Sequence, residues 1–317
     1  ESIALDLKDD ADRTIFEQLL ARADVLIENF RPGAMARLGY GFDDLRPRFP
    51  KLVYASASGF GQTGPYASRP AYDIVVQAMG GIMSLTGHEG TPPTRVGTSV
   101  GDLAAGLFTT IGIQSALLAR ETSGQGTHVD VAMLDSQVAI LENAIARYEA
   151  TGTAPGPLGN RHPSITPFEA LATNDGFVVI AAGNDALFEA LCRVLDRPEF
   201  ASDPRFASND DRTANQPALK ELLEAALAGQ TTDAWLARLT EAGIPCGPVN
   251  DVPAVLAHPQ VAARNMLVTV DDPVAGPTRM AGNPIKLADF PDPPTRPRAP
   301  TLDEHRAQIL DWLKTPS

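Results

Sequence analysis

The stretch DDADRTIFEQLLARADVLIENF, residues 9–30, indicates the fold class of this chain. Its two opening aspartates are preferred helix caps, and Ile15 and Leu19 follow at the spacing of an amphipathic helix. The helix runs into the apolar segment VLI at residues 25–27, which is typical of a strand. A helix followed at once by a strand is the repeating unit of domains that are built on a parallel sheet.

The segments on either side repeat this alternation. Upstream, SIALDLK alternates apolar and polar residues and predicts a strand over residues 2–8. Downstream, GAMARLG and FDDLRPRFP predict short helices before the strand KLVYASASGF at residues 51–60. The pattern therefore predicts an α/β domain with a largely parallel sheet.

The pattern continues to residue 150 and then changes. Apolar helices are predicted over residues 71–87 and 102–124, a strand over 127–134 and a further helix over 135–152. TAPGPLGNRHPSITP has the prolines and glycines of a linker, and a second series of strands and helices follows it. We place the boundaries at residues 1–150, 151–265 and 266–317.

Composition and charge exclude several classes of protein. Hydrophobic residues make up 44% of the chain and charged residues 21%, which are globular proportions. A net charge of −13 argues against a general nucleic-acid or anionic-membrane surface. No apolar run approaches the about 20 residues of a membrane span, and the opening residues lack the features of a signal peptide. We expect a cytoplasmic protein that binds neither nucleic acid nor membrane.

A single carboxylate opens the otherwise small or apolar run GDLAAGLFTTIGI at residues 101–113. A buried charge is costly unless it is paired or used. Asp102 is therefore either a helix cap, which stabilises a helix by about 1 kcal/mol, or a nucleophile that the helix dipole keeps ionised. The two roles are compatible, and the local sequence leaves both open.

Other candidate motifs are weaker. Arg31 and Arg37 follow the predicted strand VLIENF, where ligands of open α/β sheets bind, although arginines in such places also form ordinary solvated faces. Cys246 in AGIPCGPV is either a nucleophile or a small residue in a turn, and Cys192 has a core pattern. GxGxxG occurs at residues 59–64, where the glycines and prolines that follow predict a loop and not a helix, and GxSxG occurs at residues 97–101 with no predicted strand before it, so neither pattern has the setting of its functional motif. The chain contains no GxxxxGK[ST] or HExxH motif, and no metal is expected.

Several segments together resemble the family III CoA-transferases, the CaiB/BaiF type: SIALDLK, ADVLIENFRPG, YDIVVQAMGG, GDLAAG, GQGTHVDVAMLDS, GIPCGPVN and APTLDEH. They occur in the family's order from one end of the chain to the other. The resemblance implies that Asp102 is the nucleophile. It attacks the thioester of an acyl-CoA donor to give a mixed anhydride, and the CoA thiolate then converts the anhydride to an aspartyl-CoA thioester. An acceptor carboxylate reverses the cycle.

The resemblance also implies the CoA-binding positions, which are Leu5, Lys8, Asn29, Phe30, Arg31, Arg37, Arg69 and Tyr72. Coenzyme A enters as a substrate, and no tightly bound cofactor is implied. The implied fold has a Rossmann-like large domain, a smaller α+β domain and a C-terminal tail that returns to the large domain. Two such chains interlock as a homodimer.

The chain departs from the family pattern at three places. The family's opening strand and first helix do not precede Glu1, and we expect a chain that truly lacks them to be inactive. The glycine-rich loop of some members is replaced by GNRHPSITP, where Arg161 and His162 either face a dicarboxylate such as succinate or form a structural salt bridge at an interface. Asp303 stands where glycine is usual, which we expect to be harmless.

Three alternative functions stay open. An α-methylacyl-CoA racemase of the same superfamily uses a histidine and an aspartate, but Tyr72 occupies the position of that histidine. A phenol with a pKa of about 10 is a poor general base at neutral pH, which favours transfer. A Cys246-based hydrolase requires a histidine within hydrogen-bond reach, and a non-catalytic CoA-binding protein requires a blocked Asp102.

Overall fold

Residues 1–315, which the computed structural model describes, divide into two units. One unit comprises residues 1–159 together with the segment from Pro300 onward, and the other comprises residues 160–299. The chain therefore returns to the first unit at Pro300 and not at the expected residue 266. The reason is that the strands between residues 267 and 296 pair with one another inside the second unit.

A three-stranded parallel sheet forms the centre of the first unit. Its strands lie in the order of the sequence: β1 (Val25–Glu28), β2 (Val53–Ser58) and β3 (His128–Ala132). The predicted helix before β1 is confirmed as α1 (Asp10–Leu20), and its cap is Asp9, whose carboxylate accepts hydrogen bonds from the Ala11 and Asp12 amides. The following elements up to residue 159 are α2 (Ala34–Arg37), α3 (Phe42–Leu45), α4 (Asp73–Met79), α5 (Ile82–Leu85), α6 (Val100–Ser123), α7 (Met133–Ala139) and α8 (Asn143–Thr151).

Two predicted helices are each divided in two. Gly81 has φ +89° between α4 and α5, and Glu142 has φ +56° between α7 and α8. A right-handed helix cannot continue through a residue in the left-handed region, so each helix ends before these residues.

The 24-residue helix α6 packs on β2 and β3 and contacts α4 and α7. Small residues permit this close approach, since a Cβ at Gly112 would lie 2.6 Å from Cγ1 of Val129. Within residues 1–315, α6 is long and apolar enough to cross a membrane by length and composition alone. The expectation that no such segment exists is therefore wrong. A helix that packs on a sheet with one face meets the same criteria.

The second unit contains two small sheets with helices between their strands. Its strands are β4 (Phe168–Ala172), β5 (Phe177–Ala181), β6 (Cys246–Pro248), β7 (Leu267–Asp272), β8 (Gly276–Ala281) and β9 (Thr295–Arg296). Its helices are α9 (Asp185–Val194), α10 (Glu199–Ser202), α11 (Asn209–Ala214), α12 (Gln216–Leu227), α13 (Thr232–Glu241), α14 (Val252–Ala257) and α15 (Pro259–Ala263), with a 3-10 turn at Pro204–Phe206. The β4–β5 and β5–β6 pairs are antiparallel, and β7 pairs antiparallel with β8 and parallel with β9.

The C-terminal segment holds the opening residues of the chain in place. It ends in α16 (Arg306–Leu313). The predicted strand over residues 2–8 is absent from the described sheets, and its backbone bonds elsewhere: the Ala4 amide donates to Oδ1 of Asp303 at 2.8 Å, and the Ser2 carbonyl accepts from the His305 amide. Asp303 has φ +62°, a left-handed conformation that explains why glycine suits this position.

Candidate active site

A cavity of about 640 Å³ lies in the first unit, where β1 and β2 end and α6 begins. Ligands of α/β sheets bind at this edge, because the loops that follow parallel strands meet there. The cavity brings together the following residues of those implied by the resemblance: Asn29, Phe30, Arg31, Arg69, Tyr72 and Asp102. These side chains come from three separate parts of the sequence, so the fold assembles the candidate site.

Hydrogen bonds and close packing fix the loops that line this cavity. The Asn29 side-chain amide donates to the Ala57 carbonyl at 2.6 Å, which ties the loop after β1 to the end of β2. Gly59 permits the loop after β2 to fold back, because a Cβ at Gly59 would lie 2.4 Å from Cβ of Ala71. Arg69 and Tyr72 are thereby held at the mouth of the cavity, where Tyr72 is 80% exposed.

Asp102 lies in the first turn of α6 but is not its cap. The cap position is Ser99, whose side chain makes no capping hydrogen bond. The capping acceptor comes from another helix: Oδ1 of Asp73, the first residue of α4, accepts from the Gly101 amide at 2.9 Å. Because Asp73 satisfies this amide, the Asp102 carboxylate is free to line the cavity. The sequence left open whether Asp102 caps the helix, and the structure shows that it does not.

The electrostatic surroundings of Asp102 are mixed. Asp102 is exposed and not buried as its apolar surroundings in the sequence suggested. Desolvation by the groups around its carboxylate, and then the negative charge of Asp73, raise the pKa of the Asp102 carboxyl above its ordinary value. Arg31 and Arg69 line the same cavity, and neither forms a salt bridge with a carboxylate within residues 1–315. The guanidinium carbon of Arg69 lies 3.6 Å from the centre of the Tyr66 ring, a contact that orients the side chain without neutralising its charge. The cavity therefore offers one carboxylate and two positive groups to an anionic ligand.

The remaining predicted site residues lie outside this cavity. Leu5 and Lys8 belong to the opening segment, and Arg37 ends the short helix α2. Arg161 and His162 are half-buried residues at the start of the second unit. The backbone amide of His162 donates to the Phe168 carbonyl, and the imidazole ring of His162 contacts the Phe168 ring. Their assigned roles stay predictions.

Neither cysteine has the surroundings of a nucleophile. Burial in the core of the second unit raises the pKa of the Cys192 thiol to about 11. The Cys246 sulfur has Oγ1 of Thr240 as its hydrogen-bonding neighbour at 3.8 Å, and within residues 1–315 no histidine bonds to it. A cysteine hydrolase therefore lacks its base in this structure.

Sequence reasoning missed the group formed by Asp73, Gln77 and Arg95. Gln77 is fully buried, and its side-chain amide donates to Oδ2 of Asp73 at 2.8 Å, while Arg95 forms a salt bridge with the same oxygen at 3.3 Å. The available signal was the spacing, since an aspartate and a glutamine four residues apart share one face of a helix. That signal says nothing of the Gly101 amide, which lies 28 residues further along the chain.

The whole chain matches one protein family. A family model described as CoA-transferase family III matches residues 1–306. The acetyl-CoA:oxalate CoA-transferase of Acetobacter aceti is 52% identical over 317 residues, a match that covers 100% of this chain and 80% of the relative. The succinate–glutarate CoA-transferase of Agrobacterium fabrum is 39% identical over 315 residues, covering 99% of this chain and 78% of that relative.

A solved structure agrees with these matches. The crystal structure of a CaiB/BaiF family protein from Brucella suis is 40% identical, has a TM-score of 0.83, and is matched over 98% of this chain and 81% of that chain. The mixed α/β fold described above is therefore the fold of that family. With a family model over nearly its entire length and named relatives of this similarity, the chain belongs to the family III CoA-transferases and is a CoA-transferase.

Proposed function

We propose that Asp102 carries the transferred group in two forms, first as a mixed anhydride and then as a CoA thioester. The observation that supports this most strongly is that the capping role at α6 is filled by Asp73, which leaves the Asp102 carboxylate open to a cavity that also holds Arg31 and Arg69. A carboxylate needs no general base to act as a nucleophile, because it is already ionised at neutral pH.

Each step of the proposed cycle balances. A carboxylate oxygen of Asp102 attacks the donor thioester carbonyl, and the C–S bond breaks to release the CoA thiolate. The thiolate attacks the aspartyl carbonyl of the anhydride and releases the donor acid, leaving the aspartyl-CoA thioester. The acceptor carboxylate attacks the aspartyl carbonyl of this thioester, which releases the thiolate and forms a second mixed anhydride between Asp102 and the acceptor. The thiolate then attacks the acceptor carbonyl, which yields the new acyl-CoA and regenerates Asp102.

The residues around Asp102 suit this chemistry. Ala105 and Gly106 follow it along the cavity wall and leave room for an acyl group, and Ala105 is buried. The positive charges of Arg31 and Arg69 favour ligands that carry phosphate or carboxylate groups. The racemase alternative has less support, because Tyr72 lines the cavity where that chemistry requires a histidine.

We further propose that the acceptor is a short dicarboxylate. The relatives at 52% and 39% identity carry oxalate, succinate and glutarate in their names. The test compares oxalate, succinate and glutarate with propionate and butyrate as acceptors, with acetyl-CoA as donor throughout and succinyl-CoA as a second donor for every acceptor except succinate. The new acyl-CoA is quantified by liquid chromatography. We expect turnover with at least one dicarboxylate to exceed turnover with either monocarboxylate by about 10-fold or more, because a second carboxylate adds charge-assisted hydrogen bonds. Equal turnover across the panel would contradict the dicarboxylate assignment.

We propose that Arg161 holds the distal carboxylate of that acceptor and that His162 assists it. A guanidinium forms two parallel hydrogen bonds with a carboxylate, and lysine does not reproduce this geometry. Arg161→Lys is therefore expected to raise KM for a dicarboxylate by about 10-fold and to change KM for a monocarboxylate of similar length much less. Arg193→Lys is the control, since Arg193 is an exposed arginine on α9. An equal effect on both classes of acceptor would leave Arg161 with a structural role.

We also propose that the protein is a homodimer and that the parallel sheet belongs to a Rossmann-like domain. The support for a dimer is the outer face of α6, where Leu103, Leu107 and Ile111 are 58%, 67% and 56% exposed. Their spacing of four residues makes a continuous apolar stripe, which a second copy of the chain would cover. Light scattering coupled to size-exclusion chromatography is expected to give twice the mass of the chain. The mass of a single chain at micromolar concentration would contradict this proposal.

A further inference from the structure

Asp73 receives hydrogen bonds from three different segments of the first unit. The residue is 7% exposed and does not line the cavity. Its Oδ1 accepts from the Gly101 amide, and its Oδ2 accepts from the Gln77 side chain and from Nη2 of Arg95. A buried carboxylate that is bonded in this way has one fixed orientation.

Gln77 extends the same set of contacts toward the nucleophile. Its Oε1 accepts from the Val96 amide at 2.9 Å, and its Nε2 also lies 3.3 Å from the Thr98 carbonyl. Residues 86–99 form no helix or strand, and these contacts of Gln77 help to fix the end of this segment before α6. Asp73 and Gln77, one turn apart on α4, together hold the backbone that delivers Asp102 into the cavity.

The charges around Asp102 come from a small set of described groups. Asp73 contributes a negative charge from α4, and Arg95 opposes it from the loop before α6. Arg31 and Arg69 lie in the cavity itself. The helix α7 adds the uncharged Met133 and Gln137. The Gln137 side chain is fully buried, its amide atoms have no hydrogen-bond partner within residues 1–315, and its Nε2 would lie 3.6 Å from a Cβ at Gly101.

We propose that Asp73 is a positioning residue for CoA transfer, which caps the helix of the nucleophile from outside and, with Arg95 as its counter-ion, sets the charge that Asp102 experiences. This inference rests on the proposed function, because it takes Asp102 as the nucleophile. Asp73 acts through the Gly101 amide and through its charge, and touches no reacting atom. A more basic carboxylate is the stronger nucleophile, so a nearby negative charge assists attack on a thioester. Arg95 opposes the charge of Asp73 through their salt bridge, and so limits this effect.

Two variants test the proposal because they change the charge in opposite directions. Asp73→Asn keeps an oxygen for the Gly101 amide but removes the negative charge, so Asp102 is expected to ionise at lower pH. Arg95→Met leaves the charge of Asp73 unopposed, so Asp102 is expected to ionise at higher pH. The acid limb of the pH profile of kcat/KM for acyl-CoA is therefore expected to move to lower pH in Asp73→Asn and to higher pH in Arg95→Met. Asp73→Asn is also expected to lower kcat by roughly 10-fold at neutral pH. Arg95→Lys is expected to restore the wild-type limb.

The matched control is Arg120→Met. Arg120 lies near the end of the same helix and forms a salt bridge with Asp24 at 2.7 Å, but it is about 27 Å from Asp102 along the helix axis. Losing this salt bridge is expected to leave the acid limb in place, because the distance to Asp102 exceeds the range over which salt leaves charges unscreened. A shift in this variant equal to the shift in Arg95→Met would overturn the proposal.

The ionisation of Asp102 is also measured without catalysis, by an NMR titration of the protein with ¹³C-labelled aspartate carboxyl groups. The signal of Asp102 is identified by its absence from the spectrum of Asp102→Asn. Opposite shifts in Asp73→Asn and Arg95→Met support the proposal. Shifts in the same direction, or lower thermal stability with no shift, would show that Asp73 and Arg95 have a structural role only. If Asp73→Asn does not fold, the direction of the shift in Arg95→Met decides. If the pH at which Asp102 ionises shifts in opposite directions in the two variants, but Asp102 proves not to be the nucleophile for CoA transfer, only the proposed function is contradicted.

Discussion

Replacing Asp102 with alanine is expected to lower CoA transfer by about 10⁴-fold or more, because the nucleophile that carries both covalent intermediates is lost. CoA binding and the fold are expected to persist. Asp102 is not the cap of α6, and the Gly101 amide keeps its bond to Asp73. Transfer is measured with saturating acyl-CoA and acceptor, and folding by thermal denaturation.

Asp135→Ala is the matched control for this change. Asp135 is an exposed aspartate in the first turn of α7, so its removal costs the same favourable interaction with a helix dipole. It does not line the cavity that holds Asp102. We expect this variant to retain transfer. Near-normal turnover in Asp102→Ala at a permissive temperature would show that another residue is the nucleophile.

Replacing Arg31 with alanine is expected to weaken CoA binding by about 10- to 100-fold, because a charge-assisted hydrogen bond to phosphate contributes about 1.5–3 kcal/mol. Arg31 lines the cavity and has no competing carboxylate within residues 1–315. The loss is expected to be greater at low ionic strength, since salt screens the interaction. Isothermal titration with CoA at two salt concentrations measures both effects.

Arg37→Ala tests the second arginine that the resemblance assigns to phosphate. Arg37 lies outside the cavity, so a loss of affinity in this variant would extend the CoA site along α2. Arg193→Ala, on α9 of the second unit, is the control for the removal of an exposed arginine. Unchanged affinity for CoA in both Arg31→Ala and Arg37→Ala would show that these arginines belong to an ordinary solvated surface and do not bind phosphate.

The elements of the first unit that depend on local sequence could be predicted. The Asp9 cap, the helix after it and the strand VLI are encoded within a few residues of each other, and each is confirmed. The division at Glu142 could not be predicted, because a residue other than glycine in the left-handed region leaves no signal in composition. The opening segment alternates like a strand but bonds to Asp303 and His305, since a strand needs a neighbour that periodicity does not reveal.

The candidate site divides in the same way. Loops that follow parallel strands converge, so the meeting of Asn29, Arg31 and Asp102 in one cavity agrees with what order along the chain and resemblance imply. The bond between Asp73 and the Gly101 amide was not predictable, because it depends on how α4 and α6 pack and not on spacing within either helix. Without it, the sequence could not separate a capping Asp102 from a nucleophilic one.

Trapping the covalent intermediate tests the role of Asp102 most directly. The protein is mixed with acyl-CoA, quenched in acid, digested with pepsin and analysed by mass spectrometry. We predict a peptide containing Asp102 that carries coenzyme A through a thioester, is absent from Asp102→Asn, and disappears when an acceptor carboxylate is added before the quench. The absence of any such adduct from a protein that transfers CoA, or an adduct on another residue such as Cys246, would contradict the assignment of Asp102 as the nucleophile.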